Sequence, residues 1–247
     1  MVFRLGATSY VVAGDLVANV EHLGGQVQDI ELILFSLPDG THNLPDTAML
    51  QQMKTLARLH RLSFTVHLPH DLRYTPGRLD RSLRLAERII HLTEPLEPYA
   101  YVFHLDEQGL HEPGWVEQGI AAIRYLVAQV GVPEYFALEN LESYRPDLLE
   151  PVFAALPIQR TLDIGHLWKA GLDPLLYLEH WLPQSRVVHL HGMAATDHQS
   201  LAVMPPAKLD PVVQRLREWP GVLTLEVFEG DFATSVQALQ ESLARVG

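Results

Sequence analysis

The chain contains no cysteine, which excludes disulfides, thiolate metal sites and cysteine nucleophiles together. Lysine is scarce, with Lys54, Lys169 and Lys208 alone, and 18 basic residues face 30 acidic ones for a formal net charge of −12. Such a balance gives no general attraction for a nucleic-acid backbone or an anionic membrane surface. No apolar run is long enough to cross a bilayer, and the N-terminal residues enter a strand-like segment without the pattern of a secretory leader. There is no low-complexity tract, no block of like charge, and no Gly-rich phosphate loop after the first strand-like run. The expectation is a soluble, cytoplasmic protein with no nucleic-acid and no membrane partner.

What is present is core-forming material: 47% hydrophobic and 19% charged residues over 247 positions, a composition suited to a globular chain with a sizeable interior. Short β-rich runs alternate with longer amphipathic ones. The strand-like runs are Phe3–Thr8, Asp29–Phe35, Ser63–Leu68, Tyr101–Leu105, Tyr135–Leu141, Arg160–Asp163, Arg186–His191 and Val222–Phe228. Between and after them the helical pattern covers Asp15–Leu23, Pro45–His60, Arg78–Leu92, Trp115–Val130, Pro146–Ala155, Pro174–Leu182, Ala207–Glu218 and Phe232–Ala244. Alternation of this kind is the mark of α/β architecture, and eight units fit a (β/α)8 barrel spanning residues 1–247 as one domain. An open doubly wound sheet is the competing arrangement, but it usually carries a phosphate loop after its first strand.

In such a barrel, function sits at the C-terminal ends of the strands. The polar residues there are His67, His104, Glu139, Asp163 with His166, His189 and His191, and Glu226, joined by Asp197 and His198 from the loop after the seventh run. Side chains two apart share a strand face, so Glu139 follows Ala137, Asp163 follows Thr161, His189 and His191 follow Val187, and Glu226 follows Thr224 inward. Asn140 falls on the opposite parity.

Each residue has a plainer reading. Asp163 can be a helix N-cap in a strand-to-helix turn. His67 and His104 can be hydrogen-bonded core residues, His191 can face solvent, and His198 can belong to an exposed loop. Glu139 and Glu226 resist this treatment, because each interrupts an apolar strand where an uncompensated carboxylate would cost several kcal/mol. Too few bases lie nearby to neutralise the acids, so cations are the economical explanation. Mixed imidazole and carboxylate donors without sulfur suit zinc foremost, then manganese, iron or cobalt, better than calcium or magnesium. The inventory suffices for two or three divalent ions.

These residues resemble the metal sites of the xylose-isomerase-like barrels, which include sugar isomerases and epimerases and the endonuclease IV class of abasic-site nucleases. The resemblance follows strand order along the whole chain. It implies that Glu139, Asp163, His189 and Glu226 hold one metal, and that His67, His104, His166 and His198 carry further ions. One departure stands out: the nuclease pattern has an acid two residues before the loop histidine, whereas here Thr196 occupies that position and Asp197 directly precedes His198. Within this group the chain is similar to the cobamide-remodelling phosphodiesterases, through Asp29–Phe35, Thr65–Pro69, Leu138–Glu142, Leu162–Leu167, Val188–Gly192 with Asp197-His198, and Thr224–Phe228.

That resemblance implies a metal-dependent hydrolase cutting the nucleotide-loop phosphodiester of a vitamin B12-type corrinoid to a cobinamide species. Glu139 and Glu226 would serve the reaction as acids at the ions, and His191 would orient substrate or protonate the leaving group. Arg73, Asn140 and Lys169 are the candidate substrate contacts. The alternatives are a sugar isomerase or epimerase, which leaves His67, His104 and His166 unexplained, and an abasic-site nuclease, which needs rim bases that the loops after the first, second, fourth and eighth strand-like runs lack. A non-enzymatic corrinoid carrier would bind without turnover.

Overall fold

The computed structural model describes residues 2–69, 72–75, 80–110 and 112–247. Its strands are β1 (Arg4–Thr8), β2 (Asp29–Ile33), β3 (Ser63–His67), β4 (Ala100–Phe103), β5 (Phe136–Glu139), β6 (Gln159–Asp163), β7 (Ser185–Leu190) and β8 (Val222–Leu225). All pair in parallel with their sequence neighbours, and β1 pairs with β8 to close the barrel. Closure satisfies the main chain of every strand on both sides and leaves no edge.

The helices are α1 (Leu16–Leu23), α2 (Thr47–His60), α3 (Arg81–Thr93), α4 (Trp115–Val130), α5 (Glu150–Ala155), α6 (Ile164–Lys169), α7 (Pro174–Trp181), α8 (Pro206–Leu216) and α9 (Phe232–Val246). Side-chain capping sets several of their starts. Asp15 accepts from the Ala18 N–H at 2.9 Å and Asp46 from the Met49 N–H at 2.8 Å, each filling a main-chain donor that the first turn leaves open. The second helix therefore begins after Asp46 rather than at Pro45. The start expected at Arg78 for the third lies outside the described residues.

Several strands stop earlier than their apolar sequence suggests. β2 ends at Ile33, β4 at Phe103 and β8 at Leu225, so His104 and Glu226 stand just past the last ladder position. The chain stays buried beyond these points, and burial rather than pairing explains the longer apolar runs. α6 is a six-residue helix springing directly from Asp163, where the sequence suggested only a turn.

Outward-facing strand residues, among them Ile30, Leu32, Phe64, Val66, Phe103 and Phe136, pack under the helices in one core. Inside the barrel a small group of Ala100, Val102, Ala137 and Val187 fills the side of β4, β5 and β7. The opposite side is polar. Arg4 donates to Ser63 at 2.8 Å, Ser63 donates to Asp29, and Glu31 follows two residues on, all but Arg4 and Ser63 fully buried. Leu32, with no exposed surface, lies between barrel and helices. Truncating it as Leu32→Ala should lower unfolding stability by about 2–5 kcal/mol, the range for emptying a core leucine site. Urea denaturation with an unchanged slope would check this, and a loss under about 0.5 kcal/mol would contradict the packing described.

Candidate metal centre

Register brings the donors to one end of the barrel. Asp163 pairs with His189 and His189 with Thr224, while Glu139 pairs with Thr161, two residues before Asp163, so the neighbouring strands β5 to β8 turn inward side chains toward a common site. Among the described residues four groups of donors have ligand atoms within 4.8 Å of one another: His67, His104 and Glu139; Glu139, Asp163, His189 and Glu226; His166, His191 and His198; and Glu142, His166 and Asp197. Glu139 and His166 each belong to two of them.

The first group is tight. His67 Nε2 lies 3.2 Å from Glu139 Oε2 while its Nδ1 faces the Leu68 carbonyl at 2.8 Å. The His104 ring stands edge-on to His67 at 5.7 Å. In the second group His189 Nδ1 is 3.1 Å from Glu226 Oε2, 3.3 Å from Glu139 Oε1 and 3.8 Å from Asp163 Oδ2. Burial works against charge on these acids, yet His189 beside them holds Glu139 and Glu226 well below the ordinary carboxylate range. The same contacts, led by Glu31, push His189 well above the usual imidazole value against its own burial.

Asp163 is a helix cap and keeps one oxygen open. Its Oδ1 accepts the His166 N–H at 2.6 Å as the cap of α6, and its Oδ2, wholly buried, has no hydrogen-bond partner among the described residues. A buried carboxylate oxygen without a donor is where a cation fits. Nitrogen and oxygen donors from these groups match the coordination preferences of zinc and its neighbours, so the residues present suit divalent metal.

His191 does not face solvent: it has no exposed surface, its Nδ1 accepts the His198 N–H at 3.0 Å, and its Nε2 is 3.2 Å from Asp163 Oδ1. The ring stacks on His198 at 4.3 Å and stands edge-on to His166 at 5.6 Å. It is thus a third imidazole of the His166 and His198 group, and an acid delivering a proton at the open mouth would have to be another residue. His198, partly exposed, occupies that mouth beside Phe228.

The three expected substrate contacts are all engaged internally. Asn140 clamps β5 to β6, donating to the Asp163 carbonyl and accepting the Asp163 N–H, both at 3.0 Å. Lys169 Nζ donates to both Glu142 and Asp197, and Arg73 pairs with Asp106 at 2.9 Å. Asp197, whose role the sequence left open, is drawn down to about 2 by Lys169 and sits 3.3 Å from His198. Sequence reasoning missed Glu31, a fully buried acid on β2. The signal was present, because Glu31 interrupts an apolar strand just as Glu139 does, but it lies mid-strand and not at a rim position.

Burial disfavours charge on His166 and His198, but Asp163 and Glu139 around the first, and Glu226 and Asp163 around the second, outweigh it and raise both from 6.5 to about 9. In the metal-free protein both are cationic at neutral pH, and ligation must expel those protons. Zinc titrations at pH 7 in buffers of different ionisation enthalpy should show net release of protons, shrinking as pH passes 9; no buffer dependence would contradict the arrangement. Being raised, these groups stabilise the metal-free fold fully below about 6.5 and lose that contribution as pH rises through about 9, which melting curves of metal-free protein can follow. Gly165 lies against His191, where an added Cβ would overlap the ring. Gly165→Ala should therefore destabilise the protein by about 1–3 kcal/mol and disturb the histidine group, measurable by denaturation and bound-metal analysis.

No protein-family model matches the chain, and no curated protein matches its sequence. Solved structures do match it over its whole length. A D-tagatose 3-epimerase-like protein superposes with a TM-score of 0.77 at 18% identity, covering 99% of this chain and 98% of the other. Endonuclease IV from Thermus thermophilus gives 0.75 at 19% identity over 98% and 99%, and an AP endonuclease, family 2, from Brucella melitensis gives 0.69 at 14% over 98% of each. The chain shares with these solved structures the fold of a closed barrel of eight parallel strands alternating with helices.

Proposed function

We propose that the chain is a divalent-metal-dependent hydrolase of phosphodiesters in small molecules. The observation that carries the reading is the pair of donor groups sharing Glu139. A single-cation sugar epimerase has no use for the additional His67 and His104 beside a complete four-ligand group, whereas phosphodiester cleavage benefits from two adjacent cations. When bound, the cations would supply Lewis acidity toward a phosphoryl oxygen and toward the attacking water. Glu139 would bridge them, Asp163, His189 and Glu226 would complete the deeper site, and His67 and His104 the shallower one. The chain's own part is to hold these donors rigid in a buried floor, with the partly exposed His198 at its mouth.

The choice of a small substrate over DNA rests on the rim. Arg73, Arg145 and Lys169 are each matched to acids, leaving these side chains little charge to offer a nucleic-acid backbone. Within small phosphodiesters, the sequence resemblance favours the nucleotide loop of a cobamide. Sugar epimerisation is the second reading, supported by the self-sufficient group of Glu139, Asp163, His189 and Glu226 and by the likeness to a D-tagatose 3-epimerase-like protein.

Metal-loaded protein incubated separately with a cobamide, a ketohexose and an abasic duplex, with products identified by mass, separates the readings. A cobinamide species is the expected result. Sugar interconversion alone establishes the second reading, a nicked duplex the nuclease, and corrinoid binding without turnover a carrier. Glu139→Gln, which removes the shared carboxylate charge, should lower kcat by at least about 10³-fold and reduce bound metal; unchanged turnover would contradict the bridging role.

A further inference from the structure

Glu31 lies below the donor layer and outside the donor groups described above. It has no exposed surface, and its Oε2 accepts from His189 Nε2 at 3.0 Å and from Thr224 Oγ1 at 3.1 Å. Its Oε1 has no hydrogen-bond partner among the described residues. An acid in so closed a place needs a reason, since a buried carboxylate with one unfilled oxygen is a net burden on the fold.

The two nitrogens of His189 look in opposite directions. Nδ1 faces Glu139, Asp163 and Glu226, and Nε2 points down the barrel to Glu31. The ring is further steadied by His67, stacked at 6.2 Å with an interplanar angle of 28°. Thr224 comes from β8, His189 from β7 and Glu31 from β2, so the contact spans the barrel bore. An imidazole can ligate a cation only through a nitrogen free of its proton, and a carboxylate on the other nitrogen decides which one that is.

We infer that Glu31 is a positioning residue for the metal centre, holding His189 with its proton on Nε2 so that Nδ1 is the ligating atom. This rests on the reading of Glu139, Asp163, His189 and Glu226 as a metal site. Thr224 fixes the Glu31 carboxylate in turn, which extends the support one step further from the ion. A purely structural ion pair would instead affect stability and leave metal affinity and the protonated nitrogen unchanged.

The test compares wild type with Glu31→Gln, which keeps side-chain volume, and with Glu31→Asp, which keeps the charge but withdraws it by one methylene. Zinc affinity is measured by competition with a chromophoric chelator, and ¹⁵N-histidine NMR of the zinc-loaded protein reads which nitrogen of His189 carries the proton. The expected result is a metal-bound Nδ1 with a slowly exchanging Nε2–H in wild type. Both variants should bind zinc about 10- to 100-fold more weakly and lose the protection of that proton; if one fails to fold, the other carries the comparison. Wild-type affinity with an unchanged His189 signal in the variants overturns the role of Glu31, as does zinc on Nε2. Absence of zinc uptake by the wild type overturns the metal-site reading instead, and the role with it.

Discussion

Compensation of negative charge inside a closed barrel is the constraint on which the structure depends. Glu31, Glu139, Asp163 and Glu226 stand in or on the bore with between 0% and 7% of their surface exposed, and among the described residues the basic group touching all four is His189. Removing carboxylates from water is tolerated only where partners replace it. Imidazoles do so in the metal-free protein, and divalent cations would do so more completely. The orphaned Asp163 Oδ2 marks where imidazoles alone fall short.

The barrel makes this concentration possible because its two faces do different work. Large apolar residues on the outward faces of the strands bind the helical shell, leaving the inward faces free to carry small residues below and donors above. Ala100, Val102, Ala137 and Val187 fill one half of the bore, so the polar half from Arg4 through Asp29 and Glu31 has room to exist. The outer rim then sets charge: Lys169 between Glu142 and Asp197 draws in two loop acids that also flank His166 and His198.

Much of this was legible from residue order. The strands appear in the expected sequence, since parallel strands buried on both faces read as apolar runs broken by turns. Their ends were drawn too long at β2, β4 and β8, because burial persists past the last ladder bond. The helix α6 was not foreseen, its six residues being too few for a periodic pattern, although its cap, Asp163, was recognised as a possible one. The rim donors were found through strand parity. Glu31 escaped because parity says which residues share a face, and only proximity to His189, 158 positions away, gives that face a meaning.

By itself the sequence determined the kinds of atom available, nitrogen and oxygen without sulfur, and their delivery by separate strands to a common end, because local alternation is a property of the chain. Tertiary structure alone decided which donors come within ligating distance of one another, that Asn140, Arg73 and Lys169 are engaged internally, and that Glu31 meets His189. Those outcomes depend on the azimuth of each strand around the closed barrel, which is set by packing among all eight strands at once and is written in no single stretch of residues.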